Sequence, residues 1–123
     1  MEGAVKYLLI HCVAEPFRGP EDDPAIASSL TAWFEEMTAR GVHVAGDRLR
    51  PVSDATTVRI RGDEVLLADG PFAETKEQVA GYDVIDCADL DEAIEVASRH
   101  PTARLGTIEV RPVLTGWQDQ LSG

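Results

Sequence analysis

The strongest constraint on this chain lies near its start. From Val5 to Cys12 two faces alternate, Val5, Tyr7, Leu9 and His11 on one side, Lys6, Leu8, Ile10 and Cys12 on the other. Both faces are largely apolar, so the segment reads as a central strand that needs cover on each side. The chain that must supply the cover has 123 residues, the size of one domain. One domain over 1–123 is expected, with 115–123 as a C-terminal tail. A chain of this length can bury a core without a disulfide or a metal. Its 44% apolar and 27% charged residues are globular composition and not that of a disordered chain.

The remaining elements follow from local signals. A loop over Glu15 to Asp23 carries two prolines, a glycine and acids. Asp23 and Pro24 then form an N-cap and first-turn pair. Ile26, Leu30, Trp33, Phe34 and Met37 make a helical apolar stripe, which Gly41 closes. Val42 to Leu49 reads as a strand ending at Pro51. Thr56 to Arg61 and Glu64 to Ala68, joined by Gly62-Asp63, read as a hairpin with one wet face. Ala80 to Cys87 is a further strand. Asp89 and Glu92 resemble a capping box opening a helix that buries Leu90, Ala93, Ile94 and Ala97 and stops at Pro101. Gly106 to Val110 is the last strand. Without the hairpin the order is βαββαβ, a ferredoxin-like α+β plan with two helices on one face of an antiparallel sheet. The uncovered face predicts a homodimer.

Charge narrows the function classes. Twenty-two acidic and eleven basic side chains give a net charge of −11. Such a surface repels phosphate backbones, so direct nucleic-acid binding is not expected. The uncharged stretch Tyr7 to Ala14 is too short to span a bilayer, and it lacks the basic leader of a signal peptide. Membrane association is not expected, and the cytoplasm is the expected location. Cys12 and Cys87 sit in strand-like runs without metal-ligand spacing and read as buried reduced thiols. His11, His43 and His100 are far apart in sequence, and their spacing indicates no zinc site. Neither G-x-G-x-x-G nor a G-K-[ST] loop occurs, so no cofactor is indicated.

One segment is distinctive: Asp69-Gly70-Pro71-Phe72-Ala73-Glu74-Thr75-Lys76-Glu77-Gln78. It resembles the D-G-P-F signature of the YCII-related family, whose D-G-P-F-x-E-T-K-E branch it matches residue for residue. Lys6 to Ile10, Ala55 to Arg59, Gly81-Tyr82, Asp89 to Ala93 and Ile108 to Pro112 are similar to the family's other elements. The resemblance implies a dimeric α+β barrel of ferredoxin-like subunits. The D-G-P-F branch is similar to proteins encoded beside extracytoplasmic-function sigma factors, which implies a sigma factor as a partner. Members with a suggested active site carry a histidine on the first helix paired with an aspartate. Here Ser29 stands near that place, and no histidine occurs between Glu15 and Gly41.

Two sets of candidate residues result. Asp69-Gly70-Pro71 is turn chemistry, and Phe72 can anchor the loop by burying its ring. Phe72, Glu74, Thr75 and Lys76 are the candidate ligand-binding residues, with Asp69 beside them on the rim of a cleft. His11, at the end of the central strand, is the candidate base near neutral pH. With the first-helix histidine missing, its carboxylate partner would be Asp69. His43 reads as a strand residue facing solvent, and His100 as a cation suited to a helix C-terminus. Three function classes remain. The leading one binds a small organic molecule in a cleft near a dimer interface, linked to sigma-factor signalling. The second is a cofactor-free acid–base enzyme performing elimination or isomerisation with His11 and Asp69. The third is an interaction module whose acidic surface contacts a basic protein.

Overall fold

The computed structural model describes residues 4–116; most of the expected tail lies outside them. Ten-residue β1 (Val5–Ala14) runs through the middle of a four-stranded antiparallel sheet. Helix α1 (Pro24–Ala39) and β2 (His43–Arg48) follow, then a 3-10 turn at Val52–Asp54. The hairpin strands are β3 (Thr56–Arg61) and β4 (Glu64–Asp69), and β5 spans Glu77–Cys87. Helices α2 (Leu90–Ser98) and α3 (Thr102–Leu105) precede β6 (Thr107–Pro112). The sheet order is β2-β5-β1-β6. It is a split βαβ arrangement with the hairpin standing apart from it.

The helix caps follow the sequence. Asp23 accepts a hydrogen bond from the Ala25 amide at 2.9 Å, and Pro24 occupies the first turn of α1. Gly41 turns the chain at φ +71°, a backbone state costly for residues with a Cβ. Asp89 caps α2 by accepting from the Glu92 amide, while Glu92 accepts from the Ala88 amide. Tyr7, Leu9, Ile85 and Cys87 of the sheet pack against Trp33 and Met37 of α1 and Ala93 and Val96 of α2. The core thus lies between the sheet and its helices. Among the described residues no helix is long and apolar enough to cross a membrane.

Several expectations need correction. The dimeric α+β barrel is not formed, because the sheet is open, with β2 and β6 each paired on one side only. Four strands are too few to curl shut. The hairpin that could lengthen the sheet pairs only with itself. Nor does that ribbon have one dry face. Val58, Ile60, Val65 and Leu67 on one side are exposed, as are Arg59 and Arg61 on the other. Phe72 does not bury its ring; it is 78% exposed. Leu90 and Ile94 of α2 are half exposed, and Val96 takes the core position instead. Cys87 is buried as expected, but Cys12 on the open face is only partly so. Burial and the nearby Glu92 push the Cys87 thiol up to about 11, so it stays protonated and unreactive.

Candidate functional site

Three histidines distant in sequence meet around one carboxylate. Strand parity places His11 on the helix-covered face of β1, where it is 6% exposed. Asp83 of β5 points to the same face. Its Oδ2 lies 2.7 Å from His11 Nε2 and its Oδ1 lies 2.8 Å from His43 Nε2. His100, just beyond α2, brings its Nε2 to 3.9 Å from Asp83 Oδ2. Its ring stacks on His11 at 4.2 Å between centroids. Trp33 stands edge-on to His100 and His43, and Phe34 edge-on to His43.

Two strand irregularities and one glycine build this arrangement. A bulge in β2 between His43 and Ala45 resets the alternation, so that His43 opposes Ile85 while Gly46 opposes Asp83. Simple alternation from Val42 and Val44 puts His43 in solvent. The bulge corrects this, leaving its side chain 10% exposed. A second bulge lies between His11 and Cys12, next to the cluster. Gly46 leaves the room that Asp83 occupies. A Cβ there would stand 2.1 Å from Asp83 Oδ1 and 2.7 Å from the Tyr82 carbonyl oxygen.

Hydrogen bonding sets the tautomers. The Thr102 amide donates to His100 Nδ1 at 3.0 Å, so the proton of a neutral His100 ring is on Nε2. Burial, reinforced by His11, pushes the His100 pKa down to about 4, and the ring is neutral near pH 7. His11 and His43 each meet the carboxylate through Nε2, which must therefore donate. In the neutral form of each ring the lone pair is then on Nδ1. His11 Nδ1 is buried and without a partner. No protein group bonds His43 Nδ1 among the described residues, and His43 lines the cavity described below.

His11, Asp83 and His100 place a ligand atom each within 4.8 Å of one another, a spacing compatible with a metal. The donor chemistry opposes it. A metal-bound imidazole donates from its other nitrogen, but His100 Nδ1 accepts from a backbone amide and its Nε2 carries hydrogen. The cluster is organised to hold protons.

The cluster forms one wall of a cavity of about 460 Å³ between β1, β2, β5 and α1. The other walls are mainly apolar: Phe17, Ile26, Leu30, Trp33, Phe34 and Leu105. Of the residues singled out by sequence, His11 belongs to this cavity and Asp69, Phe72, Glu74, Thr75 and Lys76 do not line it. Asp69 is exposed at the end of β4, paired with Thr56. Phe72, Glu74, Thr75 and Lys76 are exposed in the loop before β5. There Thr75 donates to the Glu77 carbonyl, and Gln78 donates to the Ala73 carbonyl. Asp83, His43 and His100 carry no local motif. Only the pairing of β5 with β1 and β2 brings them together.

Fold and site together define a small α+β domain that buries an imidazole–carboxylate cluster against an apolar cavity. The chain belongs to the YCII-related domain family, whose profile matches residues 6–117. It is also 40% identical over 95 residues to an uncharacterized protein of Rhizobium meliloti (strain 1021), covering 76% of this chain and 77% of that one.

Proposed function

We propose that this protein is an acid–base enzyme that moves a proton on a small organic substrate, in an elimination or an isomerisation. The observation that carries the reading is one carboxylate, Asp83, holding two imidazoles by Nε2 at the wall of an apolar cavity. His43, which lines the cavity, offers its Nδ1 lone pair and serves as the base. Asp83 orients the ring and stabilises the imidazolium that forms once the proton is taken. His11, bonded to the other carboxylate oxygen, fixes Asp83 from the opposite side. Apolar walls lower the local polarity and strengthen these charge interactions.

Nitrobenzisoxazole tests the reading without knowledge of the natural substrate. A base removes its ring C–H proton, the C–N double bond becomes a nitrile, and the N–O bond breaks to release a coloured phenolate. The protein is expected to outpace the same concentration of free imidazole. His43→Gln and Asp83→Asn should each lower the rate by about 10²-fold, the usual range for a positioned base. A wild-type rate equal to that of free imidazole, or variants as fast as the wild type, overturns the assignment.

A further inference from the structure

We infer that the cavity selects a hydrophobic alcohol, phenol or amine, a ligand with an O–H or N–H donor and no negative charge. This rests on the same site as the proposed acid–base function but on different features of it. His43 presents the acceptor: it lines the cavity, bonds Asp83 through Nε2, and has no protein donor to its Nδ1 among the described residues. An acceptor without a partner at an apolar wall is costly, and a ligand donor relieves that cost. In the neutral His43 ring the lone pair falls on Nδ1, because its N–H is used on Asp83. His100 supplies no cation to the site, since burial keeps its ring neutral.

Charge in the lining points the same way. Asp83, Glu35 and Asp47 face the cavity against one guanidinium, Arg48. Arg48 is already engaged by Glu21 at 2.7 Å. A carboxylate or phosphate ligand would enter a net negative site with no free cation among its described lining residues. An ammonium meets the opposite situation, with the carboxylates and the Trp33 and Phe34 rings in the lining. The apolar walls take the hydrocarbon body.

Four probes of one shape separate the possibilities: naphthalenemethanol, naphthylmethylamine, methylnaphthalene and naphthoate. Binding is followed by titration calorimetry and by the shift of the Trp33 indole N–H resonance. The alcohol and the amine are expected to bind at least about tenfold more tightly than the hydrocarbon and the carboxylate, the scale of one buried hydrogen bond. His43→Phe should erase the alcohol's advantage while leaving the hydrocarbon's affinity in place. If that variant does not fold, the wild-type ranking alone decides. Naphthoate or methylnaphthalene binding as tightly as the alcohol overturns the inference. Failure of the elimination assay with this ranking intact leaves a binding protein of the inferred selectivity. The reverse pattern leaves the enzyme and removes the ligand class.

Discussion

At the scale of single residues, the site depends on Gly46 as much as on its polar groups. An added methyl would fall on the Asp83 carboxylate and the Tyr82 carbonyl, and the backbone contact cannot swing away. Gly46→Ala is therefore expected to expel Asp83 from between His11 and His43 and to cost about 1–3 kcal/mol, as overpacking does. Urea unfolding gives the cost, and ring ¹⁵N shifts of the two histidines report the lost bonds. Unchanged shifts would show that Asp83 keeps its place. His100 makes a second, pH-dependent prediction. Its folded pKa is depressed from 6.5 to about 4, so below about 6.5 the unfolded chain takes up a proton that the fold refuses. The contribution is complete above that pH and is lost as pH falls toward about 4, a change of about 3 kcal/mol. His100→Gln should show a smaller fall in stability across this window than the wild type, and parallel curves would contradict the assignment. Only part of this site was legible in the sequence. Parity alone placed His11 with Tyr7 and Leu9. Its partner lies 72 residues away, on a strand whose register no local pattern announces. His43 was obscured for a different reason, since a bulge defeats the two-residue period on which its outward reading rested.

At the scale of elements, the apolar stripe of α1 has two jobs that hydrophobic periodicity does not distinguish. Trp33 and Met37, toward its C-terminal end, fill the core, whereas Ile26, Leu30 and Phe34 line the cavity. The period reports which face is apolar and is silent on whether that face meets side chains or a ligand. Trp33 sits at the division: 4% exposed, donating its indole N–H to the Val96 carbonyl at 2.9 Å, and bordering the cavity. Trp33→Ala removes the ring and one of the two hydrogen bonds the Val96 carbonyl accepts, leaving it the Arg99 amide at 3.3 Å. The expected cost is about 3–5 kcal/mol by denaturant unfolding. A loss below about 1 kcal/mol would mean that the indole serves the cavity and not the core. The capping signals at Asp23, Gly41 and Asp89 were readable because they are local chemistry. The short α3 was missed because Pro101 reads as a stop, although it begins a turn as easily as it ends a helix. The D-G-P-F segment identified the family, yet it lies in an exposed loop away from the histidine cluster. A distinctive motif and the residues placed to do chemistry are separate features of this chain.

At the scale of the whole molecule, the open sheet has a face that no described element covers. Leu8, Ile10 and Val84 lie at its centre, half-buried, and Val79 is 44% exposed. Lys6, Asp86, Glu109 and Arg111 stand around them, charges of both signs at the rim of an apolar patch. That pattern resembles the centre and rim of a protein interface. A homodimer through this face is accordingly expected, formed by two open sheets without closing either. Charge opposes it at long range, since each copy carries −11. The association should therefore tighten as salt screens that repulsion, over a Debye length of about 10 Å at 0.1 M. Light scattering at micromolar concentration is expected to give twice the chain mass, with the dimer fraction rising from low to moderate salt. Ile10→Glu puts a charge at the centre of the patch, on the face opposite His11, and should yield a folded monomer. Since the cavity lies on the covered side of the sheet, that monomer is expected to keep the wild-type rate on nitrobenzisoxazole. A wild-type monomer at every salt concentration would remove the dimer. A variant that loses elimination together with dimerisation would instead show that the cavity depends on the second copy.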